Sequence, residues 1–447
     1  MKNIKLGKVW DSLHSSYWFV PTIMAGMAIA LAFTMLSLDR AGKSGPIEKF
    51  GWIYTGSPDG ARTVLSTIAG SMITVAGTAF SITVVALTLA SSQFGPRLMR
   101  NFMQDTGNQV VLGTFIATFI YCLLVLRTVR GDNYHVFVPQ LSVTVGILLA
   151  IASIGVLIYF IHHASTSIQA SQVIGEVSKD LDKAIDRLFP QKIGSGGSGD
   201  KRRWVEEIPI GLDREASLIL ATSSGYLQAI DEDKLLKLAK SKDFVVRLKH
   251  RPGKFVVQGS ELMRVWPGER VNEKLTQQLN EVFILGKQRT EQQDVEFCIN
   301  QLVEVAVRAI SPGINDPFTA MQCIDRLSAA LCRVAEREFP CPYRYDDDNN
   351  LRVIADPVTF AKLTDDTFNQ IRQYSKPDVA VRIRMLEAIA VIATRTCNNK
   401  DRAALLHHAN AIKGSSWEEV DQECDRKDIE ERYLVAVKEL DSCRYLF

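Results

Sequence analysis

Between Arg62 and Arg97 runs the stretch TVLSTIAGSMITVAGTAFSITVVALTLASSQFGP, without one charged side chain. Within it Thr67, Ser71, Thr74, Thr78, Ser81, Val85, Thr88 and Ser92 follow one another at steps that alternate four and three. That is the heptad spacing that keeps one helix face against similar neighbours. A helix face turned to lipid gains nothing from a polar line, because each hydroxyl there must still find a partner. The seam is therefore expected to face protein or water. Helical from Thr63 to Pro96, the stretch would measure about 50 Å at 1.5 Å per residue, against a hydrocarbon thickness of about 30 Å. It must tilt, bend or project, and Gly95-Pro96 is its natural stop, since proline disfavours helix at the residue before it.

Three further apolar segments, Tyr17–Leu38, Val110–Leu126 and Leu141–Ile161, have the length of a crossing. With the stretch above they predict an α-helical membrane protein of four transmembrane helices. The first follows Lys2, Lys5 and Lys8 without a small-residue cleavage site and reads as a retained helix. Four crossings place both termini on one side. Arginine and lysine counts on the two sides are nearly equal, so orientation rests on the cysteines. The seven from Cys298 to Cys443 are scattered without a CxxC pair, which suits a reducing cytoplasm. The expected location is the bacterial inner membrane with N- and C-termini cytoplasmic.

The remaining chain divides by pattern. Residues 1–164 form the transmembrane domain, and 165–202 an amphipathic connector plus a flexible linker, Gly194-Ser-Gly-Gly-Ser-Gly199. Short β-branched runs at Ser217–Ala221, Gly225–Ile230, Phe244–Lys249, Lys254–Val257 and Glu261–Val265, with a helix near Glu232–Lys240, mark 203–270 as a small β-rich module. From 271 to 447 the pattern predicts an all-helical domain, so the soluble part is α+β. Its expected helices include Glu273–Leu285 and a last one opened by Ser416 and Glu419 at capping-box spacing. The loop Ser311-Pro-Gly-Ile-Asn-Asp-Pro317 reads either as an elbow capped by Asp316 or as a ligand or interface site built from Arg308, Ser311, Asn315 and Asp316.

The chain resembles a bacterial family of membrane proteins known as domain of unknown function 2254. The resemblance lies in Thr83-Val-Val-Ala-Leu-Thr-Leu-Ala-Ser-Ser-Gln-Phe-Gly-Pro-Arg97, in Arg289-Thr-Glu-Gln-Gln-Asp294 and in Ser311-Pro-Gly-Ile-Asn-Asp-Pro-Phe-Thr-Ala320. It implies an integral membrane protein and carries over no substrate, catalytic residue or cofactor.

Three functional classes remain to be weighed. In a homo-oligomer with the second span around its axis, the seam would line a pore. Arg62, Arg97 and Arg100 would stand at its mouths, where arginine rings favour anions. Hydroxyl donors would replace part of the hydration of a small anion. The opposing reading is plain helix packing, in which hydroxyls bond back to their own carbonyls. The alternative function is a membrane-anchored sensor or scaffold whose cytosolic domain binds a ligand or partner. An enzyme is not expected, since no Ser-His-Asp signature, HExxH or P-loop occurs. No metal or cofactor site is predicted: His407-His408 are adjacent and not spaced i,i+4, Tyr345–Asn350 lacks the glycine of a calcium loop, and Asp365-Asp366 reads as an exposed helix face. Near-balanced charge, net +2, gives no surface for nucleic acid. The expected partners are membrane lipid, further copies of the chain and small anions.

Overall fold

The computed structural model describes residues 17–41, 54–95, 105–131, 137–167, 169–189, 208, 212, 214–376 and 378–442. The Gly194–Gly199 linker, Arg97 and Arg100 lie outside them. The chain divides into two compact units, Met1–Gln172 and Val173–Phe447.

The first unit holds α1 (Phe19–Arg40), α2 (Pro58–Phe94), α3 (Thr106–Leu126) and α4 (Gln140–Ser167), four helices long and apolar enough to cross a membrane. Half of α3 is buried, against about a fifth of each of the others, so α3 is the hub on which the rest pack. Helix α2 starts at Pro58, five residues before the charge-free run. Ser57 accepts from the Gly60 amide at 3.2 Å, Pro58 occupies the first turn and Asp59 complements the dipole there.

Polar groups close the bundle at two levels. At one, the Asp39 carboxylate accepts from the Leu141 and Ser142 amides, both at 3.0 Å, and so caps α4 in place of a local residue. Arg62 donates to the Val129 carbonyl at 3.2 Å on the same side. At the other, Asp105 caps α3 through Gly107 and meets His163 Nε2 at 2.5 Å, with Tyr159 stacked on the imidazole. Tyr17 lies beside Thr83 at that second level. From Arg62 to Thr83 is about 32 Å of helix, which matches a hydrocarbon slab of about 30 Å. The excess length lies at one end: the last turns of α2, Val84 to Phe94, extend about 16 Å of helix past the bundle's polar level.

Helix α5 runs Ala170–Leu188, so that its first three residues belong to the first unit and the rest open the second, and it buries Val173, Val177, Leu181 and Ile185 along one face. Strands β1 (Ser217–Leu220), β2 (Gly225–Ile230), β3 (Val245–Leu248), β4 (Phe255–Val256) and β5 (Glu261–Trp266) follow, with α6 (Glu232–Lys242) between β2 and β3. Beyond come α7 (Glu273–Asn280), β6 (Phe283–Gly286), α8 (Val295–Ala309), α9 (Pro317–Ala335), β7 (Tyr343–Tyr345), β8 (Leu351–Ile354), α10 (Phe360–Tyr374), α11 (Val379–Thr394), α12 (Asn399–Glu419) and α13 (Glu423–Ser442).

The part after residue 270 is mostly helical but not wholly so. Its strands complete two sheets, one ordered β1-β5-β3-β8-β7 and the other β4-β2-β6. β8 lies parallel to β3, with Val246 opposite Val353. The expected helix Glu273–Leu285 ends at Asn280, and Phe283–Gly286 pairs antiparallel with β2 because its apolar side chains complete the core around Leu227, Ile230 and Phe244. The Ser416–Glu419 cap is also corrected. Ser416 lies buried inside α12, bonding back to Ile412 and accepting from Arg382 at 2.9 Å, while Glu419 pairs with Arg382. The β7–β8 hairpin has its tip at Asp346–Asn350, yet Asp346 is not solvated. The Asn350 amide and the Arg352 guanidinium hold its carboxyl down at about 2.

Candidate functional site

All eight seam positions of α2, Thr67, Ser71, Thr74, Thr78, Ser81, Val85, Thr88 and Ser92, are exposed within the protomer. The residues that pack α2 onto its own bundle are Ala61, Leu65, Ala69, Met72, Ala76 and Ala79, and Ala90 and Phe94 are buried on the same side of the helix further on. At 100° per residue the two rows lie roughly 160° apart on the helix. The seam therefore points away from its own bundle. A methyl group added at Gly70 or Gly77 would meet no atom within 4 Å, so another helix could approach closely there.

The hydroxyls are not free donors. Thr67 donates to the Thr63 carbonyl at 2.7 Å, Ser71 to Thr67 at 2.8 Å, Thr74 to Gly70 at 2.9 Å and Thr78 to Thr74 at 3.1 Å. Ser81, Thr88 and Ser92 bond back in the same way. What the seam turns outward is oxygen lone pairs and methyl groups. The expectation that hydroxyl donors solvate an anion is accordingly corrected, because those protons satisfy the helix's own carbonyls. Arg62 also departs from its expected place. It stands roughly 130° round the helix from the seam, where it bonds Val129 and lies 3.5 Å from Asp59.

In the second unit the Arg289–Asp294 motif is a folding device. Arg289 donates twice to Asp294, at 2.8 and 3.0 Å, and Asp294 in turn caps α8 through the Phe297 amide. Gln293 grips β2 through both polar groups of Ile230, at 2.9 and 3.1 Å. Gly253 leaves the room: with φ at +92°, a Cβ there would come within 2.2 Å of the Asp294 carboxylate.

Beside this motif opens a cavity of about 470 Å³ lined by Arg251, Lys254, Glu296, Arg344, Asp356 and the apolar Phe189, among others. Arg251 holds Glu296 in a fork at 3.1 and 2.9 Å, with Lys254 at 3.5 Å. Burial opposes the charge on Glu296, but Arg251 more than offsets it and the carboxyl titrates below the ordinary glutamate range. Its neighbour Asp366, pushed up by burial, pairs with Lys362 at 2.5 Å. Neither Asp365 nor Asp366 is the plain exposed residue expected, since Asp365 accepts from His408 at 2.9 Å. Arg251, Lys254 and Asp366 carried no sequence signal, because their partner Glu296 lies 42 and more residues away.

The loop residues form an elbow. Ser311 Oγ donates to the Arg308 carbonyl at 2.6 Å, Asn315 takes the left-handed conformation at φ +52°, and Asp316 caps α9 through Thr319 at 3.1 Å. Arg308 lies 4.0 Å from Glu304.

His408 supplies a pH-dependent element. Burial lowers its pKa, outweighing the Asp365 carboxylate. The unfolded chain thus binds the proton more tightly, and this stabilisation, complete above the ordinary histidine range near 6.5, is lost as pH falls through the lower folded value. Thermal melts of the full chain should drop between pH 7.5 and 5, and His408→Gln should reduce the slope. An unchanged slope would refute the assignment.

Four apolar helices with a polar seam, joined to an α+β unit, define a four-span membrane protein with a large second unit. The chain belongs to the family described as "Predicted membrane protein (DUF2254)", whose model matches residues 14–391. It is 34% identical over 426 residues to uncharacterized proteins of Mycobacterium bovis and Mycobacterium tuberculosis, covering 94% of this chain and 79% of theirs. No solved structure matches.

Proposed function

We propose that the chain assembles as a homo-oligomer around α2 and passes small ions, preferentially anions, along the hydroxyl seam in the bacterial inner membrane, with both termini cytoplasmic. One observation carries the reading: the whole seam is exposed on the face of α2 opposite its own bundle. A second copy of α2 is the neighbour that suits it. Val84, Val85 and Leu89 support assembly, since they are exposed beyond the slab-length part of the helix, where water would otherwise meet them. With the hydroxyl protons committed to the backbone, the sign of the ion is set at the mouths. Arg97 and Arg100 just past the end of α2 favour anions there.

The test is flux from vesicles containing the purified full chain. Chloride is expected to cross faster than potassium, and Arg97→Glu is expected to weaken or invert that order. Vesicles that stay tight to both ions would remove the reading. The charged cavity beside Glu296 favours a second role, ligand sensing by the second unit. If that were the whole function, Thr78→Cys would form no intersubunit disulfide, whereas the pore reading requires one.

A further inference from the structure

The cavity of about 470 Å³ beside Glu296 lies wholly within the second unit, among the β3–β4 connection, the start of α8, β7 and the segment that follows β8. Its walls are fixed before any occupant arrives. The Gly253 amide donates to the Leu227 carbonyl at 2.8 Å and the Leu227 amide to Lys254 at 2.9 Å, which pins the connection to β2. Arg251 reaches the Pro357 carbonyl at 3.5 Å while it holds Glu296, so one guanidinium ties two walls together. Pro252, Pro340 and Pro357, each with φ fixed by its ring, line the space, and the buried Phe189 ring meets Phe339 edge to face at 5.2 Å. The volume falls within the range of small-molecule sites, about 300–1,000 Å³.

Charge along these walls does not cancel. The two lining carboxylates that burial would penalise most are already matched, Asp294 by Arg289 and Glu296 by the Arg251 fork. Lys254 stands 3.5 Å from Glu296 as a second cation on that one carboxylate, and the neighbouring Asp366 has Lys362 as its own partner. Lys254 is therefore surplus. Arg344 spends Nη1 on the Cys341 carbonyl and meets no carboxylate among the described residues, which leaves its Nε–Nη2 edge open. Such an edge can take two oxygens of a carboxylate or phosphate at once. The remaining acids of the lining, Glu232 and Asp356, are exposed to water, as is Lys249. They would repel a long polyanion, so the walls suit an occupant with a single anionic group.

We infer that this cavity binds a small organic anion, with one carboxylate or phosphate group held by Arg344 and Lys254 and an apolar body set against Phe189, Leu248 and Val295. The inference names the class of ligand for the sensing role of the second unit. It rests on that reading and not on ion permeation.

The test is isothermal titration calorimetry of the full chain in detergent with phenyl phosphate, benzoate, benzylammonium and benzyl alcohol, which share one ring and differ in charge. Phenyl phosphate or benzoate is expected to bind with a dissociation constant of about 1 mM or tighter, a level suited to fragments of about ten heavy atoms. Benzylammonium should bind about tenfold more weakly or not at all. The stronger of the two anions tells phosphate from carboxylate. Arg344→Gln should weaken the anion about tenfold, as the loss of a charge-assisted hydrogen bond does. Lys254→Gln changes a side chain already 44% exposed and should weaken it severalfold, which keeps the test open if the first variant folds poorly. Anion binding unchanged in either folded variant would overturn the inference. Binding of benzylammonium or benzyl alcohol as tight as that of the anions would overturn it too and leave the sensing reading standing, whereas no binding by any of the four would remove both.

Discussion

Thr78→Trp is expected to cut ion flux from vesicles by about tenfold or more, because a constriction of large apolar side chains excludes water and ions. The substitution repeats in every copy, so an oligomer places several indoles around one axis. Within the protomer it disturbs little. Thr78 is exposed, Gly77 beside it has open space for a Cβ, and its one hydroxyl bond goes back to its own helix at 3.1 Å. Ile73→Trp is the matched control, exposed at 47% on the same helix but far round from the seam. Flux should survive it. If both variants conduct alike while the assembled particle is unchanged, the seam is not the path.

Much of the transmembrane unit was legible because lipid imposes a simple rule: long apolar runs become helices, which satisfy their backbone groups internally. The run from Arg62 to Arg97 announced both the helix and its seam, and the surplus length announced a bend, tilt or projection. What stayed hidden was which of the three. That depended on Tyr17, Asp105 and His163 marking one level and Asp39 and Arg62 the other, residues distant in sequence that only packing brings into register. Arg62 misled for the same reason, since a terminal arginine suggests a mouth until its angle around the helix is known.

In the second unit the strands from β1 to β5 stood out by alternation and turn residues. Those after residue 270 did not. Phe283–Gly286 directly follows a helix, and β8 finds its parallel partner β3 only through a crossover of about a hundred residues, a connection no local pattern reports. Ser416 and Glu419 had capping-box spacing, but Arg382, fully buried and needing three acceptors, recruited both for its own solvation. The Arg289–Asp294 segment was recognisable as special without revealing why. Its reason is the bidentate pair, the clamp on β2 and the space left by Gly253.

That pair sets the second large effect. Asp294→Asn keeps the shape of the side chain and an oxygen to cap the Phe297 amide, yet it leaves the Arg289 guanidinium without its carboxylate. Arg289 is 21% exposed, so the unpaired cation keeps only part of its access to water and the loss falls toward the lower end of what a fully buried pair costs. Breaking a buried ion pair from one side costs about 3–5 kcal/mol. In hydrogen exchange of the full chain, the first turns of α8 should then exchange on the order of a hundredfold faster or more, taking about 1.4 kcal/mol per tenfold. Arg289→Gln together with Asp294→Asn removes the stranded charge and should recover a large part of the loss, since replacing both partners costs less than removing one. Equal exchange in the single and double variants would mean that the cap and the Gly253 contact, and not the ion pair, hold this corner. Exchange unchanged in either would deny the motif its structural role altogether. Gly253→Ala probes the same corner from the other side. Its Cβ would strike the carboxylate and its backbone would be strained at φ +92°, so it should loosen α8 without changing any charge.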